Sequence, residues 1–194
     1  MAHEQLTADF AARSRAGSDI SDHLPALSGL AAECSTATEF GVRSGNSTIA
    51  LLHGLAVAGA GSLTSYDQQP HQIEHLPPLP PFVTWRFHLA DTGALEAIEP
   101  TDLLFIDTLH TCAQVRAELV HAPHVRKYLV FHDTVLFGWR DEAPGDGPGI
   151  CQAIFAFLAT EEGRKWEVLH HAPHNNGLLT LRRRSAFTAK KGRA

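Results

Sequence analysis

No run of apolar residues in this chain approaches the length of a membrane span, and its first residues lack the apolar core of a secretory leader. Cysteine is scarce. Cys34, Cys112 and Cys151 are odd in number, scattered and without CxxC spacing, which argues against a disulfide framework or a zinc knuckle. Positive charge is short too: 16 Lys and Arg stand against 21 Asp and Glu, a net charge of -5, where a nucleic-acid binder would usually show a basic face. Neither GxGxxG nor GxxxxGK[ST] occurs, so the two common phosphate-cradling loops are missing. The expectation is a chain in a reducing, cytoplasmic setting, with no nucleic-acid or membrane partner.

What is present is ordered punctuation. The 194 residues suit one domain with its own core. Short β-rich runs at 37–40, 62–66, 83–89, 103–106 and 128–131 alternate with helical stretches such as "STIALLHGLAVAG" and "TCAQVRAELVHA". "DLLFID" is apolar throughout, as a strand buried on both faces should be. Such alternation predicts an α/β fold, a parallel sheet with helices on both faces and right-handed crossovers. Near the end, "WEVLHHAP" and "GLLTLRRR" flank the turn residues "HNNG" and read as a hairpin, so one closing strand runs antiparallel. The organisation read from this is one domain: a helical N-terminal segment 1–35, a core 36–183 and a solvated basic tail 184–194. "DQQPHQIEHLPPLPP" and "APGDGPG" are loops.

Ligands of open α/β sheets lie at the carboxyl ends of the strands. There the sequence places Glu39, Asp67, Asp91, Asp107 with His110, and His132 with Asp133, one acidic group per strand. The stretch "EFGVRSGNST" (39–48) is a glycine turn between strand and helix, yet it opens on a glutamate and holds no lysine. Gly41 and Gly45 let backbone approach a ligand closely, while acids on the rim suit hydroxyls, amines and a cation. A ligand made of adenosine, a sulfonium and an amino acid fits. Glu39 would face its ammonium, the N–H groups of Asn46, Ser47 and Thr48 its carboxylate, Asp67 its ribose and Asp91 its adenine amine. Val42, Gln68, Thr92 and Asp107 complete the expected cofactor contacts. The bland alternative is a plain strand-to-helix turn.

These residues carry a resemblance. "SDISDHLPALSGLAAECSTATEFGVRSGNST" resembles the first motif of class I S-adenosylmethionine-dependent methyltransferases. "LLFIDTLHTCAQVRAEL", "YLVFHDT" and "NNGLL" are similar to a small bacterial subgroup with Asp-x-x-His and His-Asp-Thr strand ends. The resemblance implies a Rossmann-like, mostly parallel seven-stranded sheet with an antiparallel last strand. It matches Glu39, Gly41 and Gly45 to the loop under the methionine portion, Asp67 to the ribose acid and Asp91 to the acid near adenine. Thr108 and Leu109 depart from it, since relatives commonly carry glycine and an acid there.

The implied reaction is O-methylation of a small hydroxylated molecule, a sugar or secondary metabolite. N- or carboxyl methylation and a non-catalytic nucleoside-binding module remain open, and the missing GxGxxG disfavours a nicotinamide enzyme. A hydroxyl must lose its proton, and histidine is the usual base near neutral pH. His132, oriented by Asp133, is the expected base and His110 the second candidate. The bland readings are a strand-end hydrogen bond for His132, a helix cap for Asp133 and a polar pocket for His110. Asp107 and Asp133 are candidate ligands for Mg²⁺ or another divalent cation. Thirteen histidines invite a zinc site, but both "HAPH" copies carry an internal proline and no cysteine joins them. With little chain left for a lid, the N-terminal segment, "FGWRDEAPGDGPG" and a second subunit in a homodimer are the elements expected to shape the acceptor site.

Overall fold

The computed structural model describes residues 1–73, 75–142 and 147–185. Seven strands form one sheet in the order β3-β2-β1-β4-β5-β7-β6. They are β1 (Thr36–Phe40), β2 (Gly61–Asp67), β3 (Val83–Leu89), β4 (Thr101–Ile106), β5 (Val125–His132), β6 (Trp166–Ala172) and β7 (Leu178–Arg183). Only β7 runs against the rest: it pairs antiparallel with both β5 and β6, while the other pairings are parallel.

The helices are α1 (Ala2–Arg13), α2 (Leu24–Ala31), α3 (Asn46–Val57), α4 (Cys112–Glu118) and α5 (Ile150–Leu158). Strand alternation sorts side chains between two cores. Leu103, Phe105, Tyr128 and Val130 pack with α1, α2 and α3 on one face. Leu104, Ile106, Leu129 and Phe131 pack with α4 and α5 on the other. β4 is buried at every position because it lies in the middle of the sheet with both faces covered. Helix α3 is buried nearly all round, wedged between the sheet and α2.

The stretch expected as one helix from 111 to 122 is α-helical only to Glu118. It continues as a 3-10 turn, Leu119–His124, that contains Pro123; proline has no N–H to continue the α ladder. β5 starts earlier than the apolar run suggested, since Arg126 and Lys127 find partners at the sheet's lower edge in Asp102 and the Glu33 carbonyl. Of the expected "APGDGPG" loop, residues 143–146 lie outside the described part, as does the basic tail beyond Ser185. No described helix is long and apolar enough to cross a membrane.

Candidate active site

Sheet order reverses at β1, whose neighbours are β2 and β4. At such a switch point the loops leaving the strands part and open a crevice. Here the crevice is a cleft of about 720 Å³, lined from the Gly41 turn across to Phe137 and Glu142.

The turn after β1 is built on left-handed residues: Gly41 (φ 89°), Arg43 (φ 45°) and Gly45 (φ 78°). A side chain on Gly41 would collide with the backbone carbonyl of Asp107, so the turn hugs the end of β4. Asp67 fastens it from the other side. Its Oδ2 accepts from the N–H groups of Val42 (2.8 Å) and Arg43 (3.3 Å), and its Oδ1 accepts from Gln69. Val42, Asn46, Ser47, Asp67 and Gln68 all line the cleft.

Glu39 does not sit at the rim. It is fully buried beneath the turn, where its carboxylate accepts from Ser47 Oγ (2.6 Å), Thr48 Oγ1 (2.8 Å) and Ser65 Oγ (2.6 Å). Burial pushes its pKa up to about 7 against the pull of the three hydroxyls. Gly45 and Thr48 are likewise outside the cleft lining: Thr48 is buried against Glu39, and the side chain of Ile73 packs over Gly45. The expectation that the Glu39 side chain meets a ligand directly is therefore corrected; the Thr48 side chain is turned inward too, while the expectation there concerned its backbone N–H. Strand-end position put them near the cleft, but their side chains point into the sheet–helix interface.

At the end of β3, Asp91 lines the cleft and caps a short turn, Thr92–Ala94, by accepting from Gly93 N–H at 2.9 Å. Thr92, also in the lining, gives its hydroxyl hydrogen inward to Glu118.

The ends of β4 and β5 carry a compact ionic cluster. His110 Nε2 lies 2.8 Å from Asp133 Oδ2 and 3.2 Å from Asp107 Oδ1, and its Nδ1 lies 2.7 Å from Glu142 Oε2. His132 Nδ1 faces the same two aspartates at 3.2 and 3.3 Å. Its Nε2 faces the carbonyls of Asp19 (3.2 Å) and Asn175 (3.3 Å). Every ring nitrogen of both histidines thus faces carboxylate or carbonyl oxygens, surroundings that favour the protonated rings. Burial alone would lower their pKa values; the hydrogen bonds and charges of Asp107 and Asp133 outweigh it and carry both to about 10. Those bonds hold the carboxyls of Asp107 and Asp133 below the usual carboxylate range despite desolvation.

The expected role of His132 as base is corrected on this geometry. Its side chain is 1 % exposed, it is not in the cleft lining, and both its ring nitrogens are engaged by protein oxygens. His110, by contrast, lies in the lining with Phe137 stacked on its ring at 4.7 Å. Asp107, His110 and Asp133 each offer a ligand atom within 4.8 Å of the others. Asp133, in the left-handed region at φ 58°, keeps Oδ1 buried and without a partner.

Three contributors were legible at most as members of a segment, not as site residues. Glu142 binds His110 twice, through its carboxylate and through its N–H to the His110 carbonyl. Asp19 reaches the cleft and pairs with Arg43, both oxygens at 3.0 Å from Nη2. The turn between β6 and β7 supplies the Asn175 carbonyl to His23 and His132, and the Asn176 carbonyl to the N–H groups of Val135 and Leu136. "NNG" marked a turn; nothing marked it as a support for the cleft.

The sequence model of a methyltransferase domain family matches residues 38–134, half of the chain. Comparison with curated proteins finds no match. Among solved structures, the O-methyltransferase from Bacillus cereus in complex with SAH is 20% identical, with 94% of this chain and 90% of that chain covered at a TM-score of 0.60. The SAH-bound methyltransferase PaMTH1 from Podospora anserina is 16% identical, covering 94% and 88% at a TM-score of 0.55. The O-methyltransferase TomG from Streptomyces achromogenes, involved in tomaymycin synthesis and solved with SAM, is 13% identical, covering 85% and 81% at 0.56. These three share the fold.

Proposed function

The chain belongs to the methyltransferase domain family, and from that premise we propose that it moves the methyl group of S-adenosylmethionine to the oxygen of a small hydroxylated acceptor. The observation that carries this reading is the continuity of the cleft. At one end lie the Gly41 turn, Asp67 and the first N–H groups of α3; at the other lie Asp107, His110 and Asp133, rimmed by Leu136 and Phe137. The neighbours from Bacillus cereus and Podospora anserina were solved with SAH and that from Streptomyces achromogenes with SAM, which supports the same ligand here.

When bound, S-adenosylmethionine supplies an electrophilic methyl carbon; the acceptor oxygen attacks it in line and the carbon–sulfur electron pair leaves with sulfur. The protein's task is then to position, desolvate and manage one proton. The turn from Gly41 to Ser44 and the start of α3 would seat the amino-acid end, and Asp67 and Gln68 the ribose. Leu136 and Phe137 keep water from the acceptor end. Asp107 offers a carboxylate that accepts the proton of the acceptor's hydroxyl at the cleft face of the cluster and passes it to water.

Neither histidine can take that proton while each is enclosed by acceptors. The donor set does fit a divalent cation, because two carboxylates and a histidine converge and Asp133 Oδ1 lacks a partner; His110 would give up its proton on binding. Asp107, Asp133 and His110 would hold it, and the chemistry it supplies there is a lowered pKa for the acceptor hydroxyl. Carboxylate oxygens favour Mg²⁺ and the imidazole admits softer ions.

The test is formation of S-adenosylhomocysteine with a panel of phenols, catechols and sugars, before and after exhaustive EDTA treatment. Turnover that EDTA abolishes and Mg²⁺ or Mn²⁺ restores is expected. Full turnover after EDTA would remove the cation. Binding of S-adenosylhomocysteine without turnover on any acceptor would favour the binding module.

A further inference from the structure

The corner between β4 and α4 carries the two residues, Thr108 and Leu109, that stand where the resembling family commonly has glycine and an acid. Thr108 gives its hydroxyl hydrogen to Glu118 Oε1 at 2.8 Å, so its polar group is spent inward. Leu109 sits on a tight turn. Its carbonyl accepts from Thr111 N–H at 2.8 Å, and Thr111 Oγ1 caps α4 by accepting from Gln114 N–H at 3.1 Å. The leucine side chain is 46 % exposed and lines the cleft next to His110.

Two more large apolar residues stand at the same histidine. Phe137 stacks on the His110 ring at 4.7 Å, and Leu136 beside it is 55 % exposed; both line the cleft. A lone exposed leucine is ordinary. Three large apolar side chains gathered at one imidazole inside a cleft are the lining of a site for an apolar ligand. Leu109 and Leu136 gain from the hydrophobic effect only when a ligand covers them.

Charge points the same way. The carboxylates at this end, Asp107, Asp133 and Glu142, all lie on His110. Among the described residues, the lining holds one Lys or Arg, Arg43, and Asp19 already occupies it with both oxygens at 3.0 Å. An anionic group on the acceptor would enter beside three acids and meet no unpaired Lys or Arg.

We propose that Leu109 and Leu136 are specificity-determining residues for the acceptor, selecting an uncharged hydroxylated molecule with an apolar body over one that carries an anionic group. The proposal rests on the methyl-transfer reading above and narrows its acceptor. The hydroxyl lies at the Asp107 end of the cluster while the apolar body covers the two leucines. Sugars, which have no such body, and carboxylated phenols are both disfavoured.

The experiment measures kcat/KM for S-adenosylhomocysteine formation on matched pairs built on phenol, catechol and cyclohexanol. One member of each pair carries an isobutyl arm and the other a carboxymethyl arm. The two arms share a heavy-atom skeleton and differ in charge. On each scaffold that turns over, the wild-type protein should prefer the isobutyl member by about tenfold or more. Leu109→Asn and Leu136→Asn keep the size of the side chain and should each reduce that preference by about threefold or more. A purely structural role for the leucines would slow both members alike and leave their ratio unmoved. Both side chains are about half exposed, and a cooperative thermal transition checks that each variant is folded. A wild-type protein that favours neither arm, favours the carboxymethyl arm, or turns over a sugar better than any isobutyl member overturns the proposal. A wild-type preference that survives both substitutions undiminished would be set by the acids alone, and the role of the leucines is then overturned. Turnover with none of the pairs and with no sugar would instead bring down the transfer reading itself.

Discussion

Glu39 is enclosed by three hydroxyls and no cation, so its ionisation is opposed by desolvation and supported only by neutral donors. The sign of the pH effect follows. Its folded pKa of about 7 lies above the unfolded value of 4.5, so the native state binds the proton more tightly. The resulting stability is fully present below about 4.5, is lost as pH rises through about 7, and then levels off. Glu39→Gln removes the titration while keeping the shape. The stability of wild type relative to this variant should therefore fall by up to about 3 kcal/mol between pH 5 and pH 8, read from urea unfolding at both. A difference that does not change with pH would mean that Glu39 is already ionised at no cost. The same residue shows where sequence reading stopped. Its place at a strand end was legible, but the hydroxyls that claim it come from α3 and β2, and their direction is set by packing. His132 repeats the lesson: two carboxylates and two carbonyls from four separate segments decide its charge, and adjacency to Asp133 conveyed only one of them.

Among the elements, the hairpin turn between β6 and β7 was read correctly as a turn from "HNNG", and left-handed backbone at Asn175, Asn176 and Gly177 is what those residue types permit. Its load was not legible, because the partners lie some 150 positions away in the chain. Asn175 Oδ1 accepts from Asp22 N–H (3.1 Å) and its Nδ2 donates to the Ser18 carbonyl (3.1 Å). The segment from Ser18 to His23, which carries Asp19 to the cleft, is thus pinned by one side chain and by the His23 ring on the carbonyls of His174 and Asn175. Asn175→Ala should cost about 1–3 kcal/mol, from two lost hydrogen bonds and a left-handed alanine. Hydrogen exchange at residues 19–23 should accelerate well beyond the rest of the molecule. Uniform acceleration across the sheet would show that the turn supports global folding alone and does not specifically pin this segment.

Across the whole molecule, alternation of strands and helices was sufficient to read a parallel sheet, because buried parallel strands have few other patterns. The antiparallel closing strand followed from a hairpin too short for a crossover. The cleft's contents were legible only as a ring of acids; which acid faces outward depends on the turn geometry that joins them. Asp67 illustrates this at the scale of ligand binding. It lines the cleft and also ties the Gly41 turn through Val42 and Arg43 N–H, so under the proposed function it would act on the donor directly and through the loop. Ligand that binds only the native state stabilises it by mass action, by about 2.7 kcal/mol at a hundred times its Kd. For a chain of this length that corresponds to a rise in Tm of roughly 5–10 °C with S-adenosylhomocysteine. NADH should give none, since no dinucleotide loop is present. Asp67→Ala should lower the affinity by at least about 1.5–3 kcal/mol, the value of a hydrogen bond to a charged group, and at a fixed ligand concentration about half or more of the thermal shift should vanish. The measurement must begin from each protein's own ligand-free Tm, because releasing the turn will lower it in the variant. An undiminished shift in Asp67→Ala would take this carboxylate out of the donor site and leave it as a brace for the turn.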